Sequence, residues 1–239
     1  FAKVGIVVIA IGIVFLLTFP YIGLPVAAPG LFGYVLAGGL FVIAHLWRNS
    51  FDTISRYLRG AGMALLFFTT LRLFFFGAEP ALDIASVGGM FLLVVVLAIN
   101  TAIALRRKSA YLFNLALFTG FATAVSIGTT WFMLTLIPLL CILAIYARLR
   151  HEWPSVLLCG TGLAYLTYFI WMLNNPFRGN TLTLVTSPPE SIYALLGYAI
   201  ILAMGTLLRP DREREGFTAS SSSFINGGGS YGLFVLLTL

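Results

Sequence analysis

The chain has 239 residues, of which 60% are hydrophobic and 9% charged, with a formal net charge of +6. Soluble domains carry roughly 25% charged residues, so a water-soluble fold is excluded for want of a polar surface. The basic residues stand in small groups between apolar runs instead of gathering on one domain, which argues against a nucleic-acid partner.

About 20 apolar residues cross a hydrocarbon core of roughly 30 Å as a helix. A crossing segment must satisfy its own backbone hydrogen bonds, as a helix or within a closed barrel. Solidly apolar runs such as Val4–Phe19 lack the alternation of barrel strands. The expected fold class is therefore all-α, a polytopic transmembrane bundle of about eight spans over residues 1–208.

In chain order, Val4–Phe19 has the length of a span and no small-residue cleavage site, so it reads as a retained helix and not a signal peptide. Phe1 in place of methionine, and an apolar run still open at Leu239, predict a piece of a longer protein. Gly30–Trp47 follows an uncharged connection and carries His45 near its end, where an interfacial hydrogen-bonding role is expected. A haem or chlorophyll ligand would be the alternative, but no second histidine lies within a span. Gly60–Phe76 carries Arg72, an ionisable group well inside a span and so a functional candidate. Its guanidinium can snorkel toward Glu79 or Asp83 in the connection Gly77–Ile84, as a structural anchor. The alternative is a site for an anionic headgroup or substrate made by Arg72, Glu79 and Asp83.

Ala85–Leu105 and Ala110–Ile127 flank a tight basic turn. Asn100 and Asn114 lie equally far from its centre, which predicts an interhelical hydrogen bond between them. Ala116, Gly120, Ala124 and Gly128 recur at every fourth position, a small-residue groove that predicts close packing of a neighbouring helix. Trp131–Ala147 contains Pro138, which has no N–H for the carbonyl of Leu134 and predicts a kink. Ser155–Leu173 and Ser191–Leu208 complete the set. The mixed-charge and Ser/Gly-rich stretch 209–230 reads as a flexible cytoplasmic linker, and 231–239 as the start of a further apolar segment.

Cytoplasmic loops are enriched in Lys and Arg. Here one side receives Lys3, then Arg48, Arg56 and Arg59, then Arg106, Arg107 and Lys108, then Arg148 and Arg150, then Arg209, Arg212 and Arg214. The other side receives only Arg178, together with Glu79, Asp83 and Glu190. Both ends of the block are therefore expected in the cytoplasm.

Signatures of catalysis are missing. There is no phosphate-cradling glycine loop and no nucleophile elbow. Cys141, Cys159, His45 and His151 lack ligand spacing, so no metal or other cofactor is expected.

The glycine-bearing run Val4–Phe19, the helix ending in the basic segment His45 to Arg59, and the stretch Leu58-Arg59-Gly60-Ala61-Gly62-Met63-Ala64-Leu65-Leu66-Phe67 together resemble an uncharacterised family of bacterial predicted membrane proteins, filed as domain of unknown function 2339. The resemblance covers about the first two thirds of the chain. It implies a long bacterial inner-membrane protein with many tandem spans, and it supplies no activity to carry over. The function expected is a non-catalytic integral subunit or scaffold that binds membrane lipids, other membrane protein subunits or copies of itself through helix faces. A transporter or lipid-handling protein with an outer-side polar site is the alternative, and a membrane-embedded transferase using Glu79 and Asp83 a third reading.

Overall fold

The computed structural model describes residues 12, 28–75, 86–185, 190–208 and 217–238. Among them the regular structure is helical: α1 (Ala28–Leu46), α2 (Asp52–Phe75), α3 (Val87–Arg106), α4 (Ala110–Ile127), α5 (Thr130–His151), α6 (Pro154–Met172), a 3-10 turn (Pro176–Arg178), α7 (Glu190–Leu207) and α8 (Phe217–Thr238). Six of these, α1 to α6, are long and apolar enough to cross a membrane, and Ser191–Leu207 is a shorter apolar helix. The architecture is that of a membrane-embedded helical protein. The expected first span, Val4–Phe19, lies outside the described residues apart from residue 12, as do the connection Gly77–Ile84 and residues 209–216.

Helix α4 begins and ends where the sequence places it, and most others shift by a residue or two. Helix α2 is the larger departure, starting at Asp52 and not at Gly60. Asp52 sits in the first turn, where an acid meets the positive end of the helix dipole, and it pairs with Arg56 one turn on at 2.8 Å. Arg56 and Arg59, expected in a loop, are therefore helical. Helix α5 likewise continues past Ala147 to His151 and stops at Glu152, whose φ of 57° is left-handed.

The chain divides into two compact units, residues 1–107 and 108–239. In the first, α1 and α2 form an antiparallel pair in constant register. Leu73 approaches Gly30 so closely that a Cβ there would lie 2.7 Å from Leu73 Cδ2. Further along, Tyr34 Oη and Thr70 Oγ1 are hydrogen-bonded at 3.0 Å, and the ring of Phe41 covers Gly62. At the far end Ala44 meets Ser55 and Arg59. Helix α3 packs on α2, and the Asn100 amide donates to Met63 O at 3.4 Å.

In the second unit α6 is the central helix, with α4, α5, α7 and α8 packed on it. Gly160 is why α5 comes close: a Cβ there would stand 3.0 Å from Ala144 Cβ. Ala116, Gly120 and Ala124 are buried in α4, which packs on α5 and α6. Gly128 is not on that helix face. It follows the last helical residue with a φ of +64°.

Of the flexible linker expected over 209–230, the described part, 217–230, is instead helical and runs on without a break into the segment expected from 231. Residues 217–238 form one helix alongside α6 and α7. Asn226, only 8% exposed, holds it there. Its Oδ1 accepts from Tyr165 Oη of α6 at 2.6 Å, and its Nδ2 donates to Ala199 O of α7 at 3.1 Å. Gly229 lets the Tyr165 ring lie against the helix, since a Cβ would fall 2.9 Å from its Cγ. Glycine and serine read as linker signals in water. Between membrane helices the same residues permit close approach.

Candidate functional site

Arg72 stands in the last turn of α2 and is buried, 5% exposed. Thr69 and Thr70 beside it are also fully buried, and Thr70 Oγ1 donates to Leu66 O at 2.8 Å. Glu79 and Asp83, the acids proposed to meet Arg72, lie outside the described residues. Asn100 belongs to the first unit and Asn114 to the second. Met63 O is a partner of the Asn100 amide nitrogen.

A feature that loop-charge counting misses is what three other arginines do. The last turn of any helix leaves carbonyls without intrahelical donors, and in lipid each must find one. Arg59 Nη2 donates to Ala44 O near the end of α1 at 3.0 Å, joined there by Ser55 Oγ at 2.5 Å. Arg178 Nη1 donates to Ile127 O, the end of α4, at 3.0 Å, beside Asn175 Nδ2 on Val125 O at 2.7 Å. Arg148 Nη1 donates to Gly205 O near the end of α7. A guanidinium suits these places because its charge also meets the negative end of the dipole. The lone arginine expected on the acidic side, Arg178, thus has a capping task. Arg148, expected as a loop residue, is 1% exposed inside α5 and among the largest fully buried side chains. The unbroken run Ile145-Tyr146-Ala147-Arg148, with no glycine or proline, is the signal that the helix continues to it.

Pro138 lies inside α5, and its missing N–H deprives Leu134 O of a helical donor. Tyr198 of α7 supplies the replacement: its hydroxyl donates to Leu134 O at 3.1 Å. A double-mutant cycle checks this. Tyr198→Phe should cost about 1 kcal/mol in the parent and close to nothing in a Pro138→Ala background, where the restored backbone N–H takes over Leu134 O. Unfolding in mixed micelles gives both values, and equal losses in the two backgrounds would refute the substitution of one donor for the other.

Two more side chains of α6 in the second unit reach across to another helix, while Thr119, Thr123 and Thr161 bond carbonyls of their own helices. Tyr168 Oη donates to Ser191 O in the first turn of α7 at 2.9 Å, and Trp171 Nε1 to Thr130 Oγ1 at 3.2 Å. Tyr168 packs edge-on to Tyr198 with ring centroids 6.0 Å apart, an arrangement worth about 1 kcal/mol beyond burial. A groove of about 290 Å³ between α7 and α8, lined by Leu195, Ala199, Ser230 and Phe234 among others, is mainly apolar. His45 is exposed at the end of α1. Cys141 is buried, Cys159 half-buried, and both thiols are free. Among the described residues no three His, Cys, Asp or Glu side chains are grouped to hold a metal ion. No protein-family model, curated protein or solved structure matches the chain.

Proposed function

We propose that the protein is a non-catalytic integral subunit or scaffold, holding partner membrane proteins, copies of itself or lipids against its helix faces. One observation carries the reading: the largest polar side chains with a described partner, Arg56 apart, fasten one element to another. Arg59, Arg148, Arg178, Tyr168, Tyr198 and Asn226 each bind backbone or side chain of another element. The outward faces are apolar or small. Leu31, Val35, Val42 and Leu46 are exposed on α1, while Phe224 and Tyr231 on α8 flank Gly227 and Gly228, which meet nothing. Purification in mild detergent tests it: the protein should run with a partner or as an oligomer. A chain that always runs as a lone monomer would sink the reading.

The topology that goes with this function has eight crossings from Val4–Phe19 to α7, both ends of that block in the cytoplasm, and α8 as a further crossing. The proposed location is a bacterial inner membrane, which is what the resemblance drawn from the sequence implies. The grouping of arginines at Arg48 to Arg59, Arg106 and Arg107, and Arg148 and Arg150 supports this topology. In a Cys141→Ala/Cys159→Ala background, single cysteines replacing Arg56, Arg107 and Arg150 should resist an impermeant thiol reagent applied to intact cells. A cysteine replacing Asn180 should react. Labelling of Arg56 and Arg107 positions from opposite sides would overturn the arrangement.

A further inference from the structure

The α1–α2 turn gathers cations far in excess of anions. In the antiparallel first unit, the end of α1, the start of α2 and the end of α3 share one end. Arg48, Arg56 and Arg107 all lie within electrostatic reach of Arg59, and among the described residues the one acid in that range is Asp52. Asp52 is engaged with Arg56 in a pair whose side chains are half exposed or more, so that pair is weak and readily exchanged. Arg59 is held in place because it is buried and fixed to Ala44 O. Only one of the five guanidinium N–H groups is needed for that bond. A cluster like this costs self-repulsion unless an anion shares it.

The surroundings say which anion. Trp47 and Phe51 are both about half exposed in the same turn, edge to face with centroids 6.1 Å apart. Exposed tryptophan beside arginine, directly after the exposed apolar positions Val42 and Leu46, marks the depth of lipid headgroups. The ligand at that depth is the headgroup phosphate, which arginine recognises through paired N–H donors.

We propose that Arg48, Arg56, Arg59 and Arg107 form a binding site for the phosphate of an anionic phospholipid at the α1–α2 turn. This deepens the proposed function, whose lipid-binding face it locates, and rests on the membrane reading. Basic pockets at helix ends bind anionic headgroups by this chemistry.

Native mass spectrometry of the detergent-solubilised protein, offered phosphatidylglycerol and phosphatidylcholine in equal amounts, tests the site. The wild type should retain phosphatidylglycerol preferentially. Each arginine near an anionic surface is worth about a factor of five, so Arg48→Gln with Arg107→Gln should lower that preference by roughly 25-fold. The double lysine variant at the same positions should keep most of it, which separates lost charge from lost fold. No preference in the wild type, or an unchanged one in the glutamine variant, overturns the proposal. Inorganic phosphate that displaces the lipid at equal concentration overturns the assignment to a lipid. The same spectra give the oligomeric mass. Oligomers without lipid preference sink this site alone, and a lipid-selective monomer sinks only the protein-binding part of the proposed function.

Discussion

Gly205→Val should destabilise the second unit by about 3 kcal/mol or more. A Cβ at Gly205 would lie 2.6 Å from Ile145 Cγ1 and 2.8 Å from its Cδ1, with Leu157 Cδ1 at 3.3 Å on the other side. Ile145 is β-branched and stiff at χ1, so it cannot swing aside cheaply, and α7 must move away from α5. Overpacking of this kind costs about 1–3 kcal/mol. The movement also draws Gly205 O away from Arg148, a charged hydrogen bond worth about 1.5–3 kcal/mol. Unfolding in mixed micelles measures the sum, and an Arg148→Met background divides it. There the hydrogen bond is already gone, so the additional loss on placing valine at 205 should shrink to the overpacking part. A loss that is the same in both backgrounds would show that Arg148 does not cap α7.

The second large effect is expected at the end of α4. Gly128 has a φ of +64°, a conformation that costs an L-residue about 1–2 kcal/mol and a β-branched one more. A Cβ would also meet Arg178 Cδ and Nη1 at 2.6 Å and Asn175 Nδ2 at 3.2 Å. Those groups cap Ile127 O and Val125 O. Gly128→Val should therefore cost about 3 kcal/mol, part backbone strain and part lost capping. Gly128→Ala placed on Arg178→Ala should cost only the backbone share, about 1 kcal/mol. Should Gly128→Ala be equally costly with and without Arg178, the cap contributes nothing and the strain is the whole effect.

These two glycines also show what can be read from sequence and what cannot. Helix α4 was legible from end to end, since the basic turn before it and Gly128 after it bound an uncharged, mainly apolar run. The carbonyl freed by Pro138 was legible too, because it follows from proline's covalent structure. Its donor was not: Tyr198 lies 64 residues away, and only the parallel packing of α5 and α7 brings it near. Arg148 was hidden for a different reason. Counting it as a loop charge serves topology, yet a side chain that long can stay with its helix and reach a carbonyl on the neighbour. Composition misled outright at α8, where Ser220 to Ser223 and Gly227 to Gly229 have the look of a linker. What keeps the helix there is Asn226 bridging Tyr165 and Ala199. Of the candidate polar site, Arg72 is buried in α2, while Glu79 and Asp83 fall outside the described residues.

The character of α8 bears on how the molecule is made. A segment so rich in serine and glycine gains little by leaving water for hydrocarbon on its own. It becomes favourable only once Tyr165 and the backbone of α7 are already in place to receive Asn226. Since α6 and α7 precede α8 in the chain, the groups that receive Asn226 are synthesised before it, and α8 depends on them as a template.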